Sequence, residues 1–124
     1  MKILISDDDL FFRNFYSTKL KEQGFQVETA SDGNEAFEKM KVFQPDLLLL
    51  DIIMPRKDGF SVLADMKKNP LTSSIPVIVF STLGQEADVT KALGMGANDY
   101  INKSYFDFPK MLEKIKKFGT RLAG

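Results

Sequence analysis

The sequence predicts an α/β fold in which five parallel strands form one sheet that helices cover. Short runs of β-branched residues and leucine alternate with longer segments of helical period, which is typical of parallel strands joined by crossover helices. Five segments of each kind occur within 124 residues, the length of one ordinary domain. Because no repeat or linker is visible, we expect residues 1–124 to form one domain.

The predicted strands are short apolar runs bounded by turn residues. Pro45 marks the entry to the third strand, and Pro76 is acceptable where the fourth strand starts. The strands are expected, in chain order, over residues 2–6, 25–29, 47–50, 77–80 and 100–101.

The predicted helices have apolar residues at three-four spacing. Asp9 is a plausible N-cap of the first helix, Gly24 follows its end, and Asp107 is a candidate cap of the last helix. Glycines crowd the fourth helix, so we expect it to be mobile. The helices are expected over about residues 10–23, 33–42, 60–68, 85–93 and 109–122. The side chains predicted to face the core include Phe12, Phe15, Tyr16, Leu20, Ala36, Phe37, Met40, Val62, Leu63, Met66, Phe108, Met111, Ile115, Phe118 and Leu122.

The composition removes several classes of chemistry, because the chain contains neither cysteine nor histidine. Disulfides, thiolate or imidazole metal sites and histidine-based triads are excluded, which leaves carboxylates, hydroxyls and lysine. Seventeen basic and seventeen acidic residues cancel, so we expect no direct nucleic-acid binding. No apolar run approaches the roughly 20 residues of a membrane span. We therefore expect no membrane insertion, and the lack of cysteine agrees with a cytoplasmic location.

Chemically active side chains follow four of the predicted strands. Asp7 and Asp8 follow the first strand, Asp51 the third, Ser81 the fourth and Lys103 the fifth. Because open parallel sheets bind ligands outside the carboxyl ends of their strands, we expect these side chains at one edge. Each residue taken singly has an ordinary explanation as a turn, capping or surface residue. Only the joint pattern is specific.

Three neighbouring carboxylates, on Asp7, Asp8 and Asp51, are costly unless a cation neutralises them or one stays protonated. Mg²⁺ is the economical answer, because it prefers hard oxygen ligands and suits phosphate chemistry. The alternative is that Asp7 and Asp9 cap the first helix while Asp8 is solvated.

Four motifs carry the joint pattern, at residues 3–9, 50–55 with 58–59, 76–81 and 96–103. Together they resemble the receiver domain of bacterial two-component response regulators, and the resemblance covers nearly the whole chain. It implies a flavodoxin-like, doubly wound sheet of strand order 2-1-3-4-5 with five helices. It also implies a switch that takes a phosphoryl group from the phosphohistidine of a sensor histidine kinase or a histidine phosphotransfer protein.

The resemblance further implies a phosphoacceptor and a Mg²⁺ site. Asp51 is similar to the phosphoacceptor, which is also a carboxylate ligand of the metal together with Asp8. Asp7 looks like a ligand that acts through water, and Ile53 like a ligand through its backbone carbonyl. The protein would thus be a signalling switch that catalyses its own phosphorylation rather than a conventional enzyme.

The remaining residues of the pattern are implied to bind the phosphoryl group and to respond to it. Lys103 and Ser81 would each contact a phosphoryl oxygen, and Ser81 and Tyr100 would move once the group is attached. An output partner would read the surface of the fourth helix, fifth strand and fifth helix. Phe106 and Phe118 are further candidates for a partner surface.

The chain departs from the family pattern at several positions. Ser6 replaces the usual apolar residue before the acid pair. Ser104 follows Lys103 where the family often has proline, so either the loop differs or a costly non-proline cis bond is retained. Ile53 and Leu83 are apolar where polar residues in relatives orient hydrolytic water. We therefore expect a long-lived phosphoryl group.

Other functions remain possible for the same residues. A magnesium-dependent phosphohydrolase would have a second acid two residues after its nucleophile, where this chain has Ile53. A flavin-binding protein would have glycine and hydroxyl residues in the first loop, where this chain has residues 7–9, all aspartate. A receiver-like interaction domain that works without phosphate is the fourth possibility.

Overall fold

The structure, a computed structural model, describes residues 1–105 and 107–123, with side chains up to residue 118. Every predicted strand and helix is present, and each bound lies within one residue of its predicted position. The strands are β1 Lys2–Ser6, β2 Gln26–Ala30, β3 Leu47–Leu50, β4 Val77–Ser81 and β5 Asp99–Asn102. The helices are α1 Leu10–Glu22, α2 Gly33–Phe43, α3 Gly59–Lys68, α4 Glu86–Gly94 and α5 Phe108–Ala123, and a 3₁₀ turn covers Lys103–Tyr105.

The five strands form one parallel sheet of order β2-β1-β3-β4-β5, which confirms the predicted fold class. The register aligns the carboxyl ends of the strands. Ser6 lies opposite Leu50, and Ser81 lies opposite Asn102. The loops that leave β1, β3, β4 and β5 therefore begin at the same edge of the sheet.

The core consists of two apolar layers, one on each face of the sheet. β3 contributes to both, because Leu48 and Leu50 point into one layer while Leu47 and Leu49 point into the other. Helices α2, α3 and α4 cover the first layer, and α1 and α5 cover the second. A strand that is buried on both faces is fixed in place by packing, so the residue that directly follows it is fixed as well.

The prediction of the core is wrong for one described residue, Phe15. Phe15 is 38 % exposed, although Tyr16 and Leu20 of the same helix are buried. Tyr16 and Leu20 are four residues apart and face the sheet together, while Phe15 lies about 100° around the helix from Tyr16. Phe15 instead stacks on exposed Phe11, with ring centroids 5.9 Å apart.

Two residues named from the sequence cannot be placed, since Phe106 and the side chain of Leu122 lie outside the described residues. Within the described part of the chain, no helix is long and apolar enough to cross a membrane.

The loop after β3 is fastened to the start of α2. The N–H of Gly33 donates to the carbonyl of Lys57 over 3.1 Å, and the Arg56 guanidinium contacts Asp32 at 2.7 Å. A Cβ at Gly33 would lie 2.2 Å from that same carbonyl oxygen. Arg56 has a φ of 65°, which non-glycine residues seldom adopt, so these contacts hold the loop in an unusual conformation.

We predict that Gly33→Ala lowers the free energy of unfolding by about 1–3 kcal/mol, because the backbone of the loop must move to admit a methyl group. Urea unfolding would measure the change. Gly94→Ala is the matched control, since a Cβ there meets nothing within 4 Å and should cost nothing. Equal stability of the two variants would contradict the close packing of α2 against the loop.

Candidate functional site

Lys103 lies between two carboxylates at the edge of the sheet. Its Nζ is 2.5 Å from Oδ2 of Asp7 and 3.0 Å from Oδ2 of Asp51, and all three residues are buried. Asp7 and Asp51 directly follow β1 and β3, and Lys103 opens the 3₁₀ turn after β5. Three residues predicted from separate strand ends therefore meet at one point.

Burial and charge act in opposite directions within this cluster. Burial raises the pKa of Asp7 above its ordinary value of 3.8, and the hydrogen bond from Lys103 offsets this only in part. Burial alone would lower the pKa of Lys103, but its contacts with Asp7 and Asp51 outweigh that effect and raise it. Lys103 is therefore an ammonium at neutral pH. A further cation close to Asp7 would stabilise the charged form of its carboxyl group.

The acids can also hold a metal ion. Asp7, Asp8 and Asp51 each offer one carboxylate oxygen, and these atoms lie within 4.8 Å of one another. Asp8 is exposed, so the cluster opens to solvent on its side. Three carboxylates against one ammonium leave two negative charges, which one divalent cation would neutralise. Hard oxygen donors of this kind fit Mg²⁺.

The alternative prediction, in which Asp7 and Asp9 cap the first helix, also describes part of the structure. The Asp9 carboxylate accepts from the N–H of Phe12 and caps α1, while Asp7 Oδ1 accepts from the N–H of Asp9 over 2.9 Å. The guanidinium of Arg13 donates to the carbonyl of Asp7 over 2.9 Å. Asp7 thus uses one oxygen to order its loop and the other to contact Lys103.

Ser81 and Tyr100 are linked through Leu83. Ser81 Oγ accepts from the N–H of Leu83 over 3.3 Å, and the Tyr100 hydroxyl donates to the carbonyl of Leu83. Burial raises the pKa of Tyr100, and a hydrogen bond with Ser81 partly opposes the rise. Ser81 itself is fully buried. Ser81 and Tyr100, the two predicted switch residues, are therefore linked by hydrogen bonds to the same loop residue.

Two phenylalanines, one on the predicted first helix and one at the end of the predicted fourth strand, also contact Lys103. Its Nζ lies 4.7 Å from the ring centroid of Phe12 and 5.4 Å from that of Phe80. The negative face of an aromatic ring attracts an ammonium at such distances. Neither contact has a sequence signal, because apolar periodicity places both rings in the core without showing that a charge lies beside them.

The unusual Ser6 also has a partner. Its buried hydroxyl donates to the sulfur of Met54 over 3.1 Å, and its carbonyl accepts from the N–H of Asp51 over 2.9 Å. Ser6 therefore ties the end of β1 to the loop after β3. Ser104 follows Lys103 through a trans bond, so the loop differs from the cis form considered from the sequence.

The motifs and this geometry agree with a comparison against known protein families. Residues 3–116 match the family described as the response regulator receiver domain. The chain belongs to this family. A relative of this receiver domain, the probable transcriptional regulator ycf27 of Cyanophora paradoxa, is 39 % identical over 112 residues. That alignment covers 90 % of this chain and 45 % of the relative, so the receiver domain spans about half the length of such relatives.

Solved receiver structures share the same fold. The Francisella response regulator 1452 receiver domain is 30 % identical, with a TM-score of 0.89 and coverage of 98 % of each chain. A chain of the CheX-CheY-BeF3-Mg²⁺ complex from Borrelia burgdorferi is 32 % identical, with a TM-score of 0.86, and the match covers 94 % of this chain and 88 % of that one.

We predict that Lys103→Met raises the affinity for Mg²⁺ by at least about tenfold. Unit charges about 4 Å apart interact by about 4 kcal/mol at an effective dielectric constant of 20, and removing the ammonium relieves its competition with the metal. Isothermal titration calorimetry would measure the change. Lys114→Met is the control, because Lys114 pairs with Asp99 instead of the cluster. Unchanged or weaker binding by Lys103→Met would show that lysine and metal do not compete.

Proposed function

We propose that this receiver domain works as a Mg²⁺-dependent switch in which Asp51 accepts the phosphoryl group of a phosphohistidine. The observation that carries the proposal is the ammonium of Lys103, held 3.0 Å from Asp51 in a cluster whose acids can bind a divalent cation. The donor would be a sensor histidine kinase or a histidine phosphotransfer protein.

The proposed transfer is a direct displacement at phosphorus. A carboxylate oxygen of Asp51 forms the new bond to phosphorus while the bond to the imidazole nitrogen breaks, and that nitrogen keeps the electron pair. Asp8 and Asp51, Asp7 through water and the carbonyl of Ile53 would hold Mg²⁺, which lowers the repulsion between the two anions when bound. Lys103 would turn from the carboxylates to a phosphoryl oxygen, and the faces of Phe12 and Phe80 would still support its charge.

Ser81 would respond to the new group by donating its hydroxyl to a phosphoryl oxygen. Its contact with the N–H of Leu83 couples this movement to Tyr100, whose hydroxyl bonds the carbonyl of Leu83. The adjoining α4 is weakly anchored, with only Ala92 buried and no side-chain cap at Gln85. A few kcal/mol from charge-assisted hydrogen bonds could therefore shift the surface of α4, β5 and α5 between two states.

The partner surfaces would lie on different sides of the cluster. Leu10 and Phe11 are 61 % and 69 % exposed and immediately follow the acidic loop, so a phosphohistidine donor could dock against α1. The output partner would contact α4, β5 and α5. Tyr100 lies on β5, and exposed Tyr105 lies next to this surface in the 3₁₀ turn between β5 and α5. No direct nucleic-acid contact is proposed for this chain.

Covalent labelling tests the proposal directly. We predict that acetyl phosphate with Mg²⁺ adds one phosphoryl group to the wild-type chain and none to Asp51→Asn, as measured by intact mass spectrometry. Asp9→Asn is the matched control, because it removes a nearby carboxylate but keeps an N-cap acceptor, and it should still be labelled. Equal labelling of Asp51→Asn would remove Asp51 from the role. No labelling of the wild type would favour a receiver-shaped interaction domain that works without phosphate.

The lifetime of the phosphoryl group tests the role of the apolar side chain of Ile53. Ile53 is 51 % exposed beside Asp51 and offers no side-chain hydrogen bond to an attacking water. We predict slow loss of the label and at least about tenfold faster loss in Ile53→Asn, equivalent to about 1.4 kcal/mol in the barrier. Val42→Asn, an exposed apolar-to-polar change on α2, is the control. Rapid loss from the wild type would contradict this prediction.

A further inference from the structure

Asn102 is the last residue of β5 and immediately precedes Lys103. Its Oδ1 accepts from the N–H of Ser104 over 2.8 Å, a side-chain-to-backbone bond that closes the chain around Lys103. Such Asx turns fix the conformation of the enclosed residue. This bond therefore ties together the residues on the two sides of Lys103.

The other end of the same amide contacts the loop between β4 and α4. A Cβ built at Gly84 would lie only 2.0 Å from Nδ2 of Asn102. Among the described residues outside Gly84 and its two chain neighbours, the only other atom within 3.4 Å of that Cβ is Cγ of Asn102, and the backbone of Gly84 does not adopt a positive φ. Glycine at this position thus provides the space that the Asn102 side chain occupies.

We infer that Asn102 is a positioning residue for Lys103, and that Gly84 is the complementary position through which the β4–α4 loop acts on it. Asn102 lies opposite Ser81, the last residue of β4, in the sheet. It therefore lies beside the β4–α4 loop, which follows this proposed switch residue. A proline after Lys103 would restrict the turn through its ring. This chain has Ser104 instead, and the bond from its N–H to Asn102 restricts the turn by another means.

The inference rests on the proposed function, because Lys103 matters most when it must reach a phosphoryl oxygen. Lys103 already contacts Asp7 and Asp51 at 2.5 and 3.0 Å, so a small displacement of its backbone changes both contacts. Misplacement by about 1 Å is enough to slow a reaction by about 100-fold. Asn102 contacts the loop after β4 at Gly84 and the turn around Lys103 at Ser104, so a displacement of that loop reaches Lys103 through this side chain.

The experiment compares the initial rates of Asp51 labelling by acetyl phosphate at fixed Mg²⁺, with urea unfolding of each variant as the measure of stability. We expect Gly84→Ala to slow labelling by about tenfold or more, because its methyl group displaces Asn102. Asn102→Ala should slow labelling to a similar extent, and adding Gly84→Ala to it should have little further effect. Gly94→Ala, which meets open space, should label at the wild-type rate.

A rescue variant separates positioning from simple destabilisation. Gly84→Ala combined with Asn102→Ser leaves room for the methyl group and keeps a hydroxyl that can accept from the N–H of Ser104. We expect this double variant to label within about threefold of the wild type, since serine forms the same kind of turn more weakly. Rates that follow stability alone, with no rescue, would overturn the inference.

Two further outcomes are decisive. Labelling of Gly84→Ala or Asn102→Ala at the wild-type rate would overturn the inference while leaving the proposed function intact. Absence of labelling in the wild type would overturn both. If Gly84→Ala fails to fold, the comparison of Asn102→Ala with Asn102→Ser decides, because only the serine variant should retain the rate.

Discussion

The buried contact of one ammonium with two carboxylates is the interaction around which this molecule is organised. Asp7 and Asp51 come from neighbouring strands, and Lys103 reaches both of them from the far end of the sequence. Removing one member of such a buried pair typically costs 3–5 kcal/mol. The cluster therefore joins the ends of β1, β3 and β5, and the same atoms that stabilise the fold are available for chemistry.

The two sides of this cluster differ in rigidity. On one side, β3 is packed by leucines on both faces, and the loop beyond it is fastened at Gly33 and at Gly59, where a Cβ would lie 2.4 Å from the carbonyl of Asp51. On the other side, α4 has a single buried residue, Ala92. A local change of charge at the cluster would therefore act mainly on α4, because loosely packed elements are the ones that move in such transitions.

Much of this could be predicted from the sequence, for reasons that individual residues make clear. Four consecutive leucines followed by Asp51 indicate a core strand with an acid at its end, and the parallel sheet then brings that acid to Asp7 and Lys103. Exposed Phe15 could not be predicted, since four of six residues from Phe11 to Tyr16 are aromatic and periodicity does not select the arc that faces the sheet. The contacts of Phe12 with Lys103 and of Asn102 with Gly84 join segments distant in sequence, and distances of that kind have no local signature. The strand order was likewise predicted from the resemblance to the family and not from hydropathy.

The aromatic surroundings of the cluster have a practical consequence for spectroscopy. The chain contains no tryptophan, so its near-ultraviolet emission comes from three tyrosines. Tyr16 packs against Phe12 and Phe80, and burial, with a smaller contribution from the charge of Asp7, raises the pKa of its phenol. Tyr100 is bonded to the loop after β4. The protein thus carries native fluorophores on both sides of its charged centre, so tyrosine emission is the intrinsic optical signal with which binding at that centre would be sought.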